Sequence, residues 1–240
     1  MINDIINEIK NDKKEVNKNK KILVLGDSHA NDIYTTLSLV MDKTEYGITK
    51  LQSECAPLTM GSIEEPLSTL YERHLQPITR KVEYCEKFHR SFLNTISDLQ
   101  PDLILFSESW RYEEFPYLAA TISELAIVSD AKIVVFGRPL KFFGDPRVVF
   151  NSLENADELN KVGWLKRNKA VDHINSYINK IALKSNATYI TKYDLMCKLE
   201  ECDLIIDNEI TYVDAQHWSR KGMTLFGNRL INSSQFKELL

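Results

Sequence analysis

A parallel β-sheet covered by helices on both faces is the fold class this sequence predicts, and three observations predict it. Short apolar runs alternate with stretches of helical periodicity along the chain. The runs are apolar on consecutive residues, as strands buried on both faces are. Each run also ends in a turn signal. The first strand is read over Lys21–Leu25 and stops at Gly26-Asp27-Ser28. The second covers Tyr46–Gln52. The third, Asp102–Phe106, is entered through Pro101, which bars continuation of the helix before it. The fourth, Lys132–Phe136, ends in Gly137-Arg138-Pro139, and the fifth is Ala187–Ile190.

Helical patterns fill the intervals. They cover residues 30–41, 76–98 and 116–128, a segment marked by Val171, Ile174, Ile178 and Ile181, and residues 219–232. Strict β-α alternation implies parallel strands with crossover helices. Ligands in such sheets bind beyond the carboxyl ends of the strands. Gly26-Asp27-Ser28, Ser107-Glu108-Ser109 and Gly137-Arg138-Pro139 all fall there. Residues 1–20 are rich in Lys, Asn, Asp and Glu, with Ile2, Ile5, Ile6 and Ile9 at helical spacing. They read as an N-terminal helix or linker, so the domain proper spans 21–240.

Composition narrows the function. A chain of 240 residues suits one substantial core. The net charge of −4 argues against a general nucleic-acid binder. No apolar run approaches the roughly 18–20 residues of a membrane span, and no secretory signal is visible. Cys55, Cys85, Cys197 and Cys202 follow no Cys-x-x-Cys metal or redox spacing. Two local bridges, Cys197 with Cys202 and Cys55 with Cys85, stand beside four reduced thiols as open alternatives. No metal or organic cofactor is implied.

Two remote motifs carry the chemistry. A serine at a sharp strand-to-helix turn is presented to solvent with a helix N-terminus behind it. Its hydroxyl needs a base, and the base needs a third group to fix its tautomer. Asp214-Ala215-Gln216-His217 supplies both near the far end of the chain. Asp214 would orient His217, His217 would deprotonate Ser28, and Ser219 would cap the last helix. Among the other histidines, His29 lines the pocket beside the serine, while His74, His89 and His173 read as surface residues. A receiver-like fold lacks support, because no acidic cluster follows the first strand and no lysine follows the later ones. Phe142-Phe143 is either a pocket wall or a buried staple.

These blocks resemble the SGNH, or GDSL-type, esterase and acyltransferase family over roughly residues 20–235. The resemblance implies a three-layer α/β/α sandwich, flavodoxin-like, with a five-stranded parallel sheet. It implies Ser28 as nucleophile, His217 as base and Asp214 as orienter. More narrowly, Gly26-Asp27-Ser28-His29, Cys55-Ala56-Pro57-Leu58, Trp110 and the Cys197/Cys202 pair before Tyr212–Ser219 resemble one branch of that family. These are the SGNH domains that work with acyltransferase-3-type membrane proteins in O-acetylating bacterial surface polysaccharides such as lipopolysaccharide O-antigen.

That branch implies an acetyl donor, a glycan acceptor, a membrane-bound acyltransferase partner, two disulfides and an extracytoplasmic, periplasmic place. A free-standing cytoplasmic enzyme is the alternative, since the chain opens at Met1 without an export signal. The wider family sets a Gly after strand two and an Asn after strand three as oxyanion donors. Here Ser53-Glu54-Cys55 and Ser107-Glu108-Ser109-Trp110-Arg111 stand instead. The candidate oxyanion donors are therefore Ser28, Ser53 and Ser109. Trp110, Arg111 and Arg138 are candidates for substrate contact, with core packing or loop bracing as the alternative. A serine O-acyltransferase is the leading expectation. A carbohydrate acetyl esterase and a non-catalytic glycan-binding module are the alternatives.

Overall fold

The structure is a computed structural model that describes residues 20–53, 55–59, 79–145, 147–148 and 156–240. The expected N-terminal helix or linker and His74 lie outside the described residues. Five strands form one parallel sheet: β1 (Lys20–Gly26), β2 (Tyr46–Gln52), β3 (Leu103–Ser107), β4 (Lys132–Phe136) and β5 (Thr188–Ile190). Each matches its predicted run within a residue or so. The helices between them are α1 (Ser28–Val40), α2 (Thr79–Leu99), α3 (Phe115–Val128), α4 (Ala156–Leu165) and α5 (Ala170–Lys184). After β5 come α6 (Lys192–Met196), α7 (Arg220–Asn232) and α8 (Ser234–Lys237). Two small hairpins precede α7: β6 (Cys197–Lys198) with β7 (Glu201–Cys202), and β8 (Ile205–Ile206) with β9 (Glu209–Ile210). Neither α4 nor the hairpins are visible in the sequence pattern.

Alternation along the strands divides the core. Leu23, Leu25, Ile104, Phe106, Ile133 and Val135 face one layer, packed on Phe92 and Ile96 of α2, Leu118 and Ile122 of α3, and Ile178 of α5. Ile22, Val24, Leu103, Leu105, Val134 and Phe136 face the other, packed on Ile33 and Leu37 of α1 and Phe226 and Leu230 of α7. Burying each such side chain contributes roughly 1.5–3 kcal/mol. Helices on both faces make the three-layer α/β/α sandwich.

Strand order is β2-β1-β3-β4-β5. The chain leaves β1 towards β2, then returns to the other side of β1 to lay down β3. The order therefore reverses between β1 and β3, which opens a crevice at their carboxyl ends. The segments leaving these strands, Asp27-Ser28 and Glu108-Ser109, flank that crevice. No helix of the described residues is long and apolar enough to cross a membrane.

Candidate active site

The crevice is closed on one side by the turn into α1. Gly26 has φ +138°, and a Cβ there would sit 1.8 Å from the Ser107 carbonyl oxygen, so only glycine lets β1 turn this close to β3. Asp27 caps α1, its Oδ1 accepting from the His29 N–H at 2.8 Å. Its Oδ2 accepts from the Ser109 N–H at 3.1 Å, tying the ends of β1 and β3 together. Ser28 is the first residue of α1, so its N–H has no acceptor within the helix and lies at the positive end of the dipole.

The opposite side is a loop that doubles back. The Val213 N–H donates to the His217 carbonyl at 2.9 Å and the Ser219 N–H to the Thr211 carbonyl at 2.8 Å, on either side of a Tyr212–Trp218 bridge. At its tip, Asp214 Oδ1 accepts from the Gln216 and His217 N–H groups, both at 2.8 Å. Asp214 Oδ2 lies 2.7 Å from His217 Nδ1, and His217 Nε2 lies 2.9 Å from Ser28 Oγ. Partial burial works to raise the Asp214 pKa. The Gln216 N–H and the imidazole and N–H of His217 outweigh it, leaving the group below its ordinary value. An ionised Asp214 only accepts, so Nδ1 carries the ring proton in the neutral imidazole. Nε2 is then free to accept from the Ser28 hydroxyl.

Beneath these groups lies a polar floor. His29 is buried and its ring stacks on His217, centroids 4.9 Å apart and planes 22° from parallel. Both of its nitrogens are buried without a hydrogen-bond partner. Burial, then the charges of Lys192, His217, Arg138 and Lys141, hold its pKa well below the usual histidine value, so it is neutral. Asp32, one turn after Ser28 on α1, is also buried, and desolvation raises its carboxyl to about 6. Lys192 is fully buried and donates from Nζ to Ser107 Oγ at 2.9 Å, with the Phe136 and Trp218 rings beside it. It stands two residues beyond β5, which corrects the expectation that no lysine follows the later strands. Desolvation lowers its pKa to about 8.

Ligand-type atoms of His29, Asp32 and His217 lie within 4.8 Å of one another. The two imidazoles stack nearly parallel, however, and an ion must lie in the plane of each ring it binds. Both nitrogens of His217 are also already engaged. The arrangement serves proton transfer better than metal binding.

The remaining predicted residues divide. Ser53 gives its N–H to the Gly26 carbonyl at 3.1 Å, and its Oγ accepts from the Cys55 N–H at 3.0 Å. The Ser109 N–H is taken by Asp27, and Arg138 Nη2 donates to Ser109 Oγ at 3.3 Å. Both backbone donors are thus committed elsewhere, and only the hydroxyl protons of Ser53 and Ser109 remain to face an oxyanion.

Of the two readings left open for Trp110, its burial favours core packing. The side chain is wholly buried against Phe106, with its indole N–H donating to the Phe136 carbonyl at 2.9 Å. Arg138 is likewise buried, and it braces loops through the Trp110 carbonyl, Ser109 Oγ and Gln216 Oε1. Arg111 is exposed. Phe142 is a buried staple edge-on to Tyr212, whereas Phe143 is 77% exposed. His173 is exposed as expected, but His89 is half-buried with Nε2 2.9 Å from the Ala56 carbonyl oxygen. Cys197 and Cys202 form a disulfide. Cys55 is also disulfide-bonded, while the side chain of Cys85 lies outside the described residues. Sequence reasoning missed Asp32, Glu108, Gln216 and Lys192. Asp32 alone left a signal, its i+4 spacing from Ser28 on one helix face.

A β2-β1-β3-β4-β5 sheet with serine, histidine and aspartate joined across its switch point defines an SGNH-type α/β domain. Comparison with known families is more specific. The family model for SGNH domains fused to AT3 domains matches residues 5–232, and the chain belongs to that family. Among solved structures it is similar to the lipopolysaccharide acetyltransferase periplasmic domain of Salmonella ser. Paratyphi A. The identity is 18%, the TM-score 0.65, and the match covers 90% of this chain and 84% of that one. A weaker match, at TM-score 0.47 and 13% identity, covers 92% of this chain and 100% of an Agrobacterium tumefaciens str. C58 protein provisionally described as an arylesterase. No curated protein matches the sequence.

Proposed function

We propose that this domain is a serine-dependent O-acyltransferase that passes an acetyl group to a bacterial surface glycan through an acyl-Ser28 intermediate. The observation that carries the reading is the continuous relay from Ser28 Oγ through His217 to Asp214, at 2.9 and 2.7 Å. Ser28 Oγ attacks the acyl carbonyl as its proton passes to His217 Nε2. The tetrahedral adduct collapses, and His217 returns that proton to the departing oxygen. A glycan hydroxyl then gives its proton to Nε2 as its oxygen attacks the acyl-serine carbonyl. This second adduct collapses by breaking the bond to Ser28 Oγ, which takes the proton back from Nε2, and the glycan leaves as the new ester. Asp214 holds the imidazole tautomer and the charge it gains. Ser28 N–H, with a hydroxyl from Ser53 or Ser109, faces the oxyanion.

Membership in a family fused to AT3 domains supports a membrane acyltransferase as the partner that supplies the acyl group. The periplasmic relative and the Cys197–Cys202 disulfide support an extracytoplasmic, oxidising setting. Hydrolysis is the second reading, and one observation favours it. The side chains of His217 and Asp214 are 22% and 50% exposed, so water reaches the base when no acceptor fills the site. Steady-state turnover of p-nitrophenyl acetate by the isolated domain, with acyl-enzyme trapping by mass spectrometry, tests both. Ser28→Ala is expected to lose about 10⁴–10⁶-fold in kcat. Turnover that survives Ser28→Ala, or a wild-type domain that never acylates, leaves the glycan-binding module instead.

A further inference from the structure

We infer that the acceptor glycan carries a carboxylate or phosphate beside the hydroxyl that is acylated, held by Arg111 and Lys141 at the rim of the crevice. The inference rests on the acyl-transfer reading and names the substrate class of that same site. Two rim loops supply cations. Arg111 ends the segment after β3, which Ser109 N–H anchors to Asp27. Lys141 sits in the segment after β4. There the Phe142 N–H donates to the Ala215 carbonyl at 2.9 Å, which lays that segment against the loop bearing His217. Between them lies Arg138, whose Nη2 reaches Gln216 Oε1 at 3.3 Å and whose Nε is buried without a partner.

Among the described residues, no ion pair is made by Arg111, Arg138 or Lys141. They are close enough to oppose one another: partial burial, then Arg138 and Arg111, pull the Lys141 pKa down. A chain of net charge −4 has thus set three cations without an ion-pair partner among the described residues on neighbouring loops. The nearby acids offset this charge only in part: Asp27 and then Glu114 favour the charged form of Arg138, which lies behind the rim. Asp27 is committed to two N–H groups, and burial raises the pKa of Glu108 well above its ordinary value and that of Glu114 to about 7. An anion bound here relieves the mutual repulsion and finds a planar guanidinium suited to carboxylate or phosphate. Phe143, exposed two residues after Lys141, offers an apolar face to a sugar ring.

The test uses NMR titration of the domain carrying Ser28→Ala, so that binding is read without turnover. The probes are methyl β-D-glucuronide, glucose 6-phosphate and methyl β-D-glucoside. At least one anionic sugar is expected to bind about tenfold or more tighter than the glucoside, with an affinity that falls as salt rises. Which anion binds better identifies carboxylate or phosphate as the feature. Arg111→Glu and Lys141→Glu should each remove most of the preference, and Lys184→Glu, at the far end of α5, should not. Equal binding of all three sugars, or a preference untouched by both rim reversals, overturns the inference. Failure of p-nitrophenyl acetate turnover in the wild type would overturn the acyl-transfer reading and leave this binding result standing.

Discussion

Ser28 and His217 meet at one rim but are held there differently. Ser28 stands where a strand becomes a helix, and its position follows from regular structure. β1 pairs with both β2 and β3, α1 begins at the serine, and Asp27 fastens the junction to the segment after β3. His217 stands on irregular chain. Its position comes from the loop's own hydrogen bonds and from Ser219, whose Oγ donates to the Ile210 carbonyl at 2.6 Å and accepts the Gly222 N–H at 3.2 Å. Each side is nevertheless locked by a glycine against a carbonyl oxygen. A Cβ at Gly26 would lie 1.8 Å from Ser107 O, and one at Gly222 would lie 2.1 Å from Thr211 O. A nucleophile at an elbow and a base on a loop therefore solve one problem, close approach of two backbones, by the same means.

The two locks differ in how much they lose. Gly26→Ala meets both the backbone clash and a φ of +138° that side-chain-bearing residues rarely adopt. We expect it to cost about 3–5 kcal/mol in urea unfolding and to leave no measurable p-nitrophenyl acetate turnover. Gly222→Ala meets only the clash, since its backbone angle is ordinary. It should cost about 1–3 kcal/mol and lower turnover by shifting α7 away from the loop that carries His217. The reverse order, with Gly222→Ala the more damaging, would mean that the elbow tolerates its substitution and that the loop is the tighter half.

The same contrast separates what the sequence displays from what it hides. Strands β1, β3 and β4 are legible because each is a bounded apolar run, whereas β2, with Thr49, Lys50 and Gln52, is legible mainly from its place in the alternation of strands and helices. Ser28, Asp214 and His217 are legible because their residue types follow strand ends or lie three apart. The floor is hidden. A lysine two residues past a strand carries no sequence signal of burial, and Lys192 is buried because Ser107, Phe136 and Trp218 converge on it from three separate segments. Trp110 is ambiguous for a related reason. A tryptophan after a strand suits either a sugar or a core, and what decides is the Phe136 carbonyl that satisfies its N–H. Strands β6 to β9 have two residues each, too few for any period to show. Helix α4 includes Gly163, a poor helix former, present because any Cβ there would strike the Leu204 side chain at 1.9 Å.

The smallest expected effect lies under the elbow and is read through pH. Glu108 is fully buried beside Asp27. Burial, then the charges of Asp27 and Glu114 and a hydrogen bond to Asp27, raises its pKa well above 4.5. The neutral acid therefore donates to the carboxylate that caps α1. A pKa raised in the folded state gives stability that is full below the unfolded value and is lost as pH climbs towards the folded one. Glu108→Gln can keep a donor to Asp27 but cannot titrate. Wild type and variant should thus differ by a constant below about pH 4.5. Above it the difference should move in the variant's favour, by at most about 1.4 kcal/mol per pH unit until Glu108 ionises. Turnover at neutral pH should stay within about threefold, because Asp27 still holds His29 and Ser109. Urea unfolding of both proteins from pH 4 to 8 checks this. Parallel curves would mean that Glu108 titrates in the folded protein as it does in the unfolded chain, and a difference that moves in the wild type's favour would mean that it is ionised beside Asp27 already at the bottom of that range.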